Sequence, residues 1–176
     1  PRSPAWAGPR NLARRFTMPH MKRVTPAELA GAGTIPELVG RLKSGTQEVK
    51  EYVARMLAAL ATQKPESTTG MVSAGAVGPL VALVKSGNEV GQLHAASAIA
   101  SIAAGNSEHQ AEVVRVGGVK PLVTLLRMGS AGTQEQAASA LASVSEDRAH
   151  QQRFIEAGAL PPLVNLLKGG KGNTQV

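Results

Sequence analysis

Two adjacent carboxylates, Glu146 and Asp147, are by type the pair best suited to acid–base work, and four histidines at positions 20, 94, 109 and 150 are the candidates for proton transfer or metal ligation. General acid–base chemistry requires its groups to converge on one substrate atom. Sequence neighbours in a helix point apart, so Glu146 and Asp147 read better as helix-start acids, which meet the positive end of a helix dipole. His109 and His150 lie 41 residues apart. If that interval is a structural repeat, the rings stand about one helix-packing distance apart, roughly 10 Å, whereas a metal ion draws its ligands to about 2 Å. Solvent-exposed histidines are the expectation. Cysteine is absent, which excludes thiolate nucleophiles, thiolate metal sites and a disulfide framework. The glycines form neither a Walker loop nor a G-x-G-x-x-G turn. No catalytic residue, cofactor site or metal site is therefore expected.

The elements that carry these residues are set by an internal repeat. One phrase occurs four times, as GTIPELVGRL from Gly33, GAVGPLVALV from Gly75, GGVKPLVTLL from Gly117 and GALPPLVNLL from Gly158, at spacings of 42, 42 and 41. A second glycine follows twelve residues later each time, at Gly45, Gly87, Gly129 and Gly170. Between the phrases lies another block, VARMLAALA from Val53, AASAIASIA from Ala95 and AASALASVS from Ala137. Each unit reads as three helices. The first is short and ends at an Ala-Gly or Val-Gly pair, where glycine takes the left-handed conformation that turns the chain. Pro36, Pro79, Pro121 and Pro162 fall in the first turn of the second helix, where a missing N–H costs little. The third helix starts near Thr46, Asn88 and Ala131, and in the first unit Val49, Val53, Met56, Leu57 and Leu60 share one face. One unit cannot cover that face, so neighbours stack to bury it. Strict alternation is missing, and the Ala-rich third helices have the strongest intrinsic helix preference.

Composition agrees with helices packed through small side chains: 43% of residues are hydrophobic but only 2% aromatic. The net charge of +7 is localised, because residues 1–24 hold six basic and no acidic side chains, leaving thirteen basic against twelve acidic in the rest. A phosphate-tracking surface needs clustered cations, so nucleic acid is not an expected partner of the repeats. Residues 67–84 and 90–107 lack Lys, Arg, Asp and Glu, but glycines, a proline and polar side chains interrupt them, and no membrane span is expected.

These repeated phrases resemble the armadillo repeat, the module of beta-catenin and importin alpha. The resemblance covers roughly residues 25–170, and a proline in the second helix with a period near 42 favours it over the HEAT repeat. It implies an all-α fold, a right-handed α-solenoid whose third helices line a concave surface. The family's peptide clamp places an Asn late in the third helix and a Trp four residues earlier. In this register the Asn position holds Ala59, Ser101 and Ser143, and the Trp position holds Arg55, Ser97 and Ser139. Neither clamp residue is present. The implied groove would instead expose Tyr52, Arg55, His94, Ser97, Ser101, Gln136, Ser139 and Ser143, either as a shallow polar binding surface or as small residues that let helices approach.

The resulting layout is a basic disordered leader or linker at 1–24, repeats at 25–62, 63–104 and 105–146, a partial repeat at 147–170 and a flexible tail at 171–176. The fourth unit shows no third helix, so further repeats or a partner are expected to stack on that end. What the resemblance implies for function is a non-catalytic scaffold for partner proteins or extended peptides in the cytoplasm. The alternatives are the substrate-recruiting region of a ubiquitin ligase and an importin-alpha-like cargo adaptor.

Overall fold

The computed structural model describes residues 33–146 and 148–169, and every regular element among them is helical. The order is α1 (Ile35–Ser44), α2 (Gln47–Gln63), α3 (Ser67–Ser73), α4 (Val77–Ser86), α5 (Glu89–Ala103), α6 (Ser107–Arg115), α7 (Val119–Met128), α8 (Ala131–Val144), a 3-10 turn (Arg148–His150), α9 (Gln151–Glu156) and α10 (Leu160–Gly169). The readings of residues 1–24, of 25–32, of His20, Asp147 and Gly170, and of the 171–176 tail fall outside the described residues.

Local chemistry fixes the helix starts. The Asn88 side chain accepts the Gly91 N–H at 2.9 Å, and Asn106 accepts that of His109 at 3.1 Å, each satisfying a donor with no partner inside its helix. At α1 the Thr34 N–H donates to the Glu37 carboxylate at 2.9 Å, which closes the same kind of cap from the other side.

Two classes of glycine stop the helices, for different reasons. Gly75, Gly117 and Gly158 have φ of +77°, +75° and +69°, the left-handed region. Each is followed by an N–H that reaches five residues back: Ala76 to Met71, Gly118 to Val113 and Ala159 to Phe154, at 2.9–3.1 Å. This Schellman closure turns the first helix of a unit into the second. Gly45, Gly87 and Gly129 are ordinary extended residues with φ near −73°. There a Cβ would stand 2.5, 2.5 and 2.6 Å from the carbonyl oxygens of Arg41, Leu83 and Leu125, so the reason for glycine is a close backbone approach.

The long helices α2, α5 and α8 lie side by side, with α4 and α7 packed behind α5 and α8. Nine residues of α5 are buried, against six of α2 and five of α8, because α5 alone among the three has a long neighbour on each flank. Ala95, Ala96, Ala98 and Ala103 let those neighbours approach, while Ile99 and Ile102 fill the remaining space. In α2 the buried face consists of Val53, Ala54, Met56, Leu57, Ala58 and Ala61. Val49 is 36% exposed and Leu60 half-buried, so the buried face is shifted toward the alanines relative to the one the spacing suggests. No single helix among the described residues is long and apolar enough to cross a membrane.

Candidate functional site

All eight residues expected on the groove lie on α2, α5 and α8. On α2, Tyr52 is exposed, and the Arg55 guanidinium sits over its ring, 5.4 Å from the centroid. A cation over an aromatic face restrains both side chains. Ser97 and Ser101 on α5 are half-buried. The Ser101 hydroxyl lies 3.1 Å from that of Thr62, a hydrogen bond that joins α5 to the last turn of α2. On α8, Ser139 is exposed and Gln136 and Ser143 are half-buried. The structure thus draws Tyr52 and Arg55 together and pairs Ser101 with a residue the repeat pattern did not single out.

His94 departs from the expectation. It is only 8% exposed, and its Nδ1 is buried without a hydrogen-bond partner. Burial holds its pKa below the ordinary histidine value, the positive charge of Arg55 lowers it further, and Glu51 opposes them. His94 is therefore a buried residue within electrostatic reach of Arg55 rather than an open groove contact. One turn earlier on α5, Gly91 is also closely packed, since a Cβ there would meet Gln47 Nε2, Glu51 Cγ and Leu83 Cδ1, each at 3.2 Å.

Solvent exposure is also the wrong description of His109. It is 3% exposed, and its Nδ1 stands 3.0 Å from the Ile102 carbonyl oxygen. Its neighbour Gln110 donates through Nε2 to the Ala103 carbonyl and to the Glu146 carboxylate, both at 3.1 Å. Glu146 thus serves as an acceptor tying α6 to the chain after α8, in place of the helix-start role expected of it. These two residues satisfy carbonyls at the end of α5, where no intrahelical donor remains. The signal available in the sequence was their position just after Asn106, at the junction between units.

Among the described residues, no three His, Asp or Glu side chains gather where a metal ion could sit. What the face offers is a set of shallow contacts: one restrained aromatic–cation pair, then hydroxyls and an amide along α5 and α8. Such groups recognise by shape and hydrogen bonding.

Stacked three-helix units sharing one continuous core define an α-solenoid. Residues 106–146 match the armadillo/beta-catenin-like repeat family. A designed armadillo repeat protein is 36% identical, with a TM-score of 0.72 over 77% of this chain and 58% of that one. A second, solved in complex with the peptide (KR)4, is 35% identical with a TM-score of 0.72 over 81% of this chain and 60% of that one. Computationally designed armadillo repeat proteins for modular peptide recognition are 36% identical, with a TM-score of 0.72 over 80% and 60%. The chain spans 58–60% of the length of these three structures. No curated protein matches the chain. The chain is an armadillo-repeat protein.

Proposed function

We propose that this protein is a non-catalytic scaffold that binds an extended peptide or protein segment along the α2–α5–α8 face. The observation that carries the reading is the side-by-side packing of these three helices, in the fold of a designed neighbour that holds a peptide. Tyr52 and Arg55 form the anchor, because the ring already carries its cation and little side-chain freedom remains to be lost on binding. Ser97, Ser101, Gln136, Ser139 and Ser143 supply hydrogen bonds along the track, and His94 lies buried in α5. With the Asn and Trp positions of the family clamp filled by other residues, side-chain contacts rather than a backbone clamp select the partner. The ligase-recruitment and cargo-adaptor roles are specialisations of this groove, distinguished by the sequences it selects. The cysteine-free composition suits a reducing cytoplasm, which fluorescent tagging checks.

The test is selection from a displayed random-peptide library, followed by measurement of the enriched peptides on wild type and on the Tyr52→Ala, Arg55→Ala double variant. Losing an anchor pair is expected to weaken binding by about tenfold or more. Unchanged affinity in a folded variant removes the proposed anchor.

A further inference from the structure

Two surface cavities, of about 350 and about 390 Å³, are the same cavity built twice. The first lies between the ends of α1 and α2 and the flank of α4, and the second between α4, α5 and α7. Leu42, Lys43, Lys50, Pro79 and Leu83 of the first correspond, 42 residues on, to Val84, Lys85, Gln92, Pro121 and Leu125 of the second. Both have an apolar floor, a first-turn proline as one wall and lysines at the edge.

The second cavity gains its other cation from Lys120, at the position of Gly78. None of Lys43, Lys50, Lys85 and Lys120 has an ion-pair partner among the described residues. The Lys43 ammonium lies beside Gly75, with 3.6 Å between its Nζ and the place a Cβ would occupy. Each cavity is thus lined by two lysines and by no acidic side chain.

We propose that this row is a second docking surface, separate from the α2–α5–α8 groove, for an acidic segment in polyproline II conformation with a carboxylate at every third residue. Successive cavities are offset by one unit, about 8–10 Å between packed helices. A polyproline II chain has three residues per turn at about 3.1 Å each, so every third side chain recurs on one face after about 9.3 Å. A β-strand cannot match this, because its third residue points to the opposite face. Each carboxylate would meet the lysines of one cavity, and the residues between would lie against Pro79 and Pro121.

Fluorescence anisotropy of the full chain with labelled peptides tests the proposal. A Glu-Pro-Pro repeat peptide is expected to bind more tightly than a Glu-Pro repeat of equal length, although the latter carries more charge. The Lys43→Ala, Lys50→Ala, Lys85→Ala, Lys120→Ala variant is expected to bind the Glu-Pro-Pro peptide at least about tenfold more weakly, since several modest ion pairs are lost together. Tyr52→Ala with Arg55→Ala is expected to leave this binding unchanged, which separates it from the groove.

Equal or tighter binding of the Glu-Pro peptide overturns the proposal, because charge alone then governs. So does undiminished binding to the quadruple variant, which would place the peptide on the basic residues 1–24. Preferential competition by a single-stranded oligonucleotide would overturn it as well. The peptide preference is read on wild type, so it decides the matter even if the variant folds poorly.

Discussion

Gly87 and Gly117 end neighbouring helices, yet replacing each with alanine is expected to fail for different reasons. At Gly117, φ is +75° and an added Cβ meets nothing within 4 Å, so the penalty is purely conformational. Forcing a Cβ into the left-handed region costs about 1–2 kcal/mol, and stiffening the unfolded chain returns about 0.4–1 kcal/mol. Gly117→Ala should therefore cost about 1 kcal/mol. Gly117→Asn should cost about half as much, because asparagine tolerates that region.

At Gly87, φ is −72°, which any residue adopts, but the added carbon stands 2.5 Å from the Leu83 carbonyl oxygen. That oxygen accepts the Gly87 N–H at 2.8 Å and cannot retreat without weakening the bond. A hydrogen bond of about 1 kcal/mol and an overpacking strain of about 1–3 kcal/mol together predict a loss of about 2–4 kcal/mol. Asparagine should bring no relief there. Urea titrations followed by helical circular dichroism compare the four variants. The reasoning is refuted if Gly117→Asn is no better than Gly117→Ala, or if Gly87→Ala lies within about 0.5 kcal/mol of wild type, the range of an ordinary surface change.

Ile99, with no exposed surface between α2 and α8, should lose about 2–5 kcal/mol on replacement by alanine; a smaller loss in the urea midpoint would mean that the seam around α5 collapses to fill the gap. Asn88→Ala removes the cap of α5 and should cost about 1 kcal/mol, whereas Asn88→Ser should recover most of it in the same titration. His94 has a folded-state pKa below the ordinary histidine value, so the unfolded chain binds more protons once pH drops through that value. Stability is full above about pH 6.5 and declines below it by at most about 1.4 kcal/mol per pH unit, until the folded state also takes up the proton. Thermal melts from about pH 7.5 to about 5.5 should show a smaller decline for His94→Gln than for wild type; equal declines would remove His94 as the source.

The all-α solenoid was legible because each unit solves the same burial problem with the same residues in the same order. The Leu-Val phrase, the first-turn proline and the left-handed glycine each answer to a local rule, and a local rule repeated four times leaves a period. The polar contacts obey no such rule. Gln110 reaches Glu146 across 36 residues, and Thr62 reaches Ser101 across 39, neither a multiple of the repeat. Spacing could not pair them. His94 shows the same limit, because whether a histidine at that position is covered depends on what its neighbours leave open.

In the first and third units the position equivalent to Gly91 holds Val49 and Thr133, and only the second has no side chain there. Gln47, Glu51 and Leu83 close around that glycine, so the α2–α5 junction is packed differently from the α5–α8 junction. Periodicity therefore identifies the frame, while the departures from it set the chemistry of each stretch of the surface. A reading that averages the copies must lose those departures, since they exist only as differences between one unit and the next.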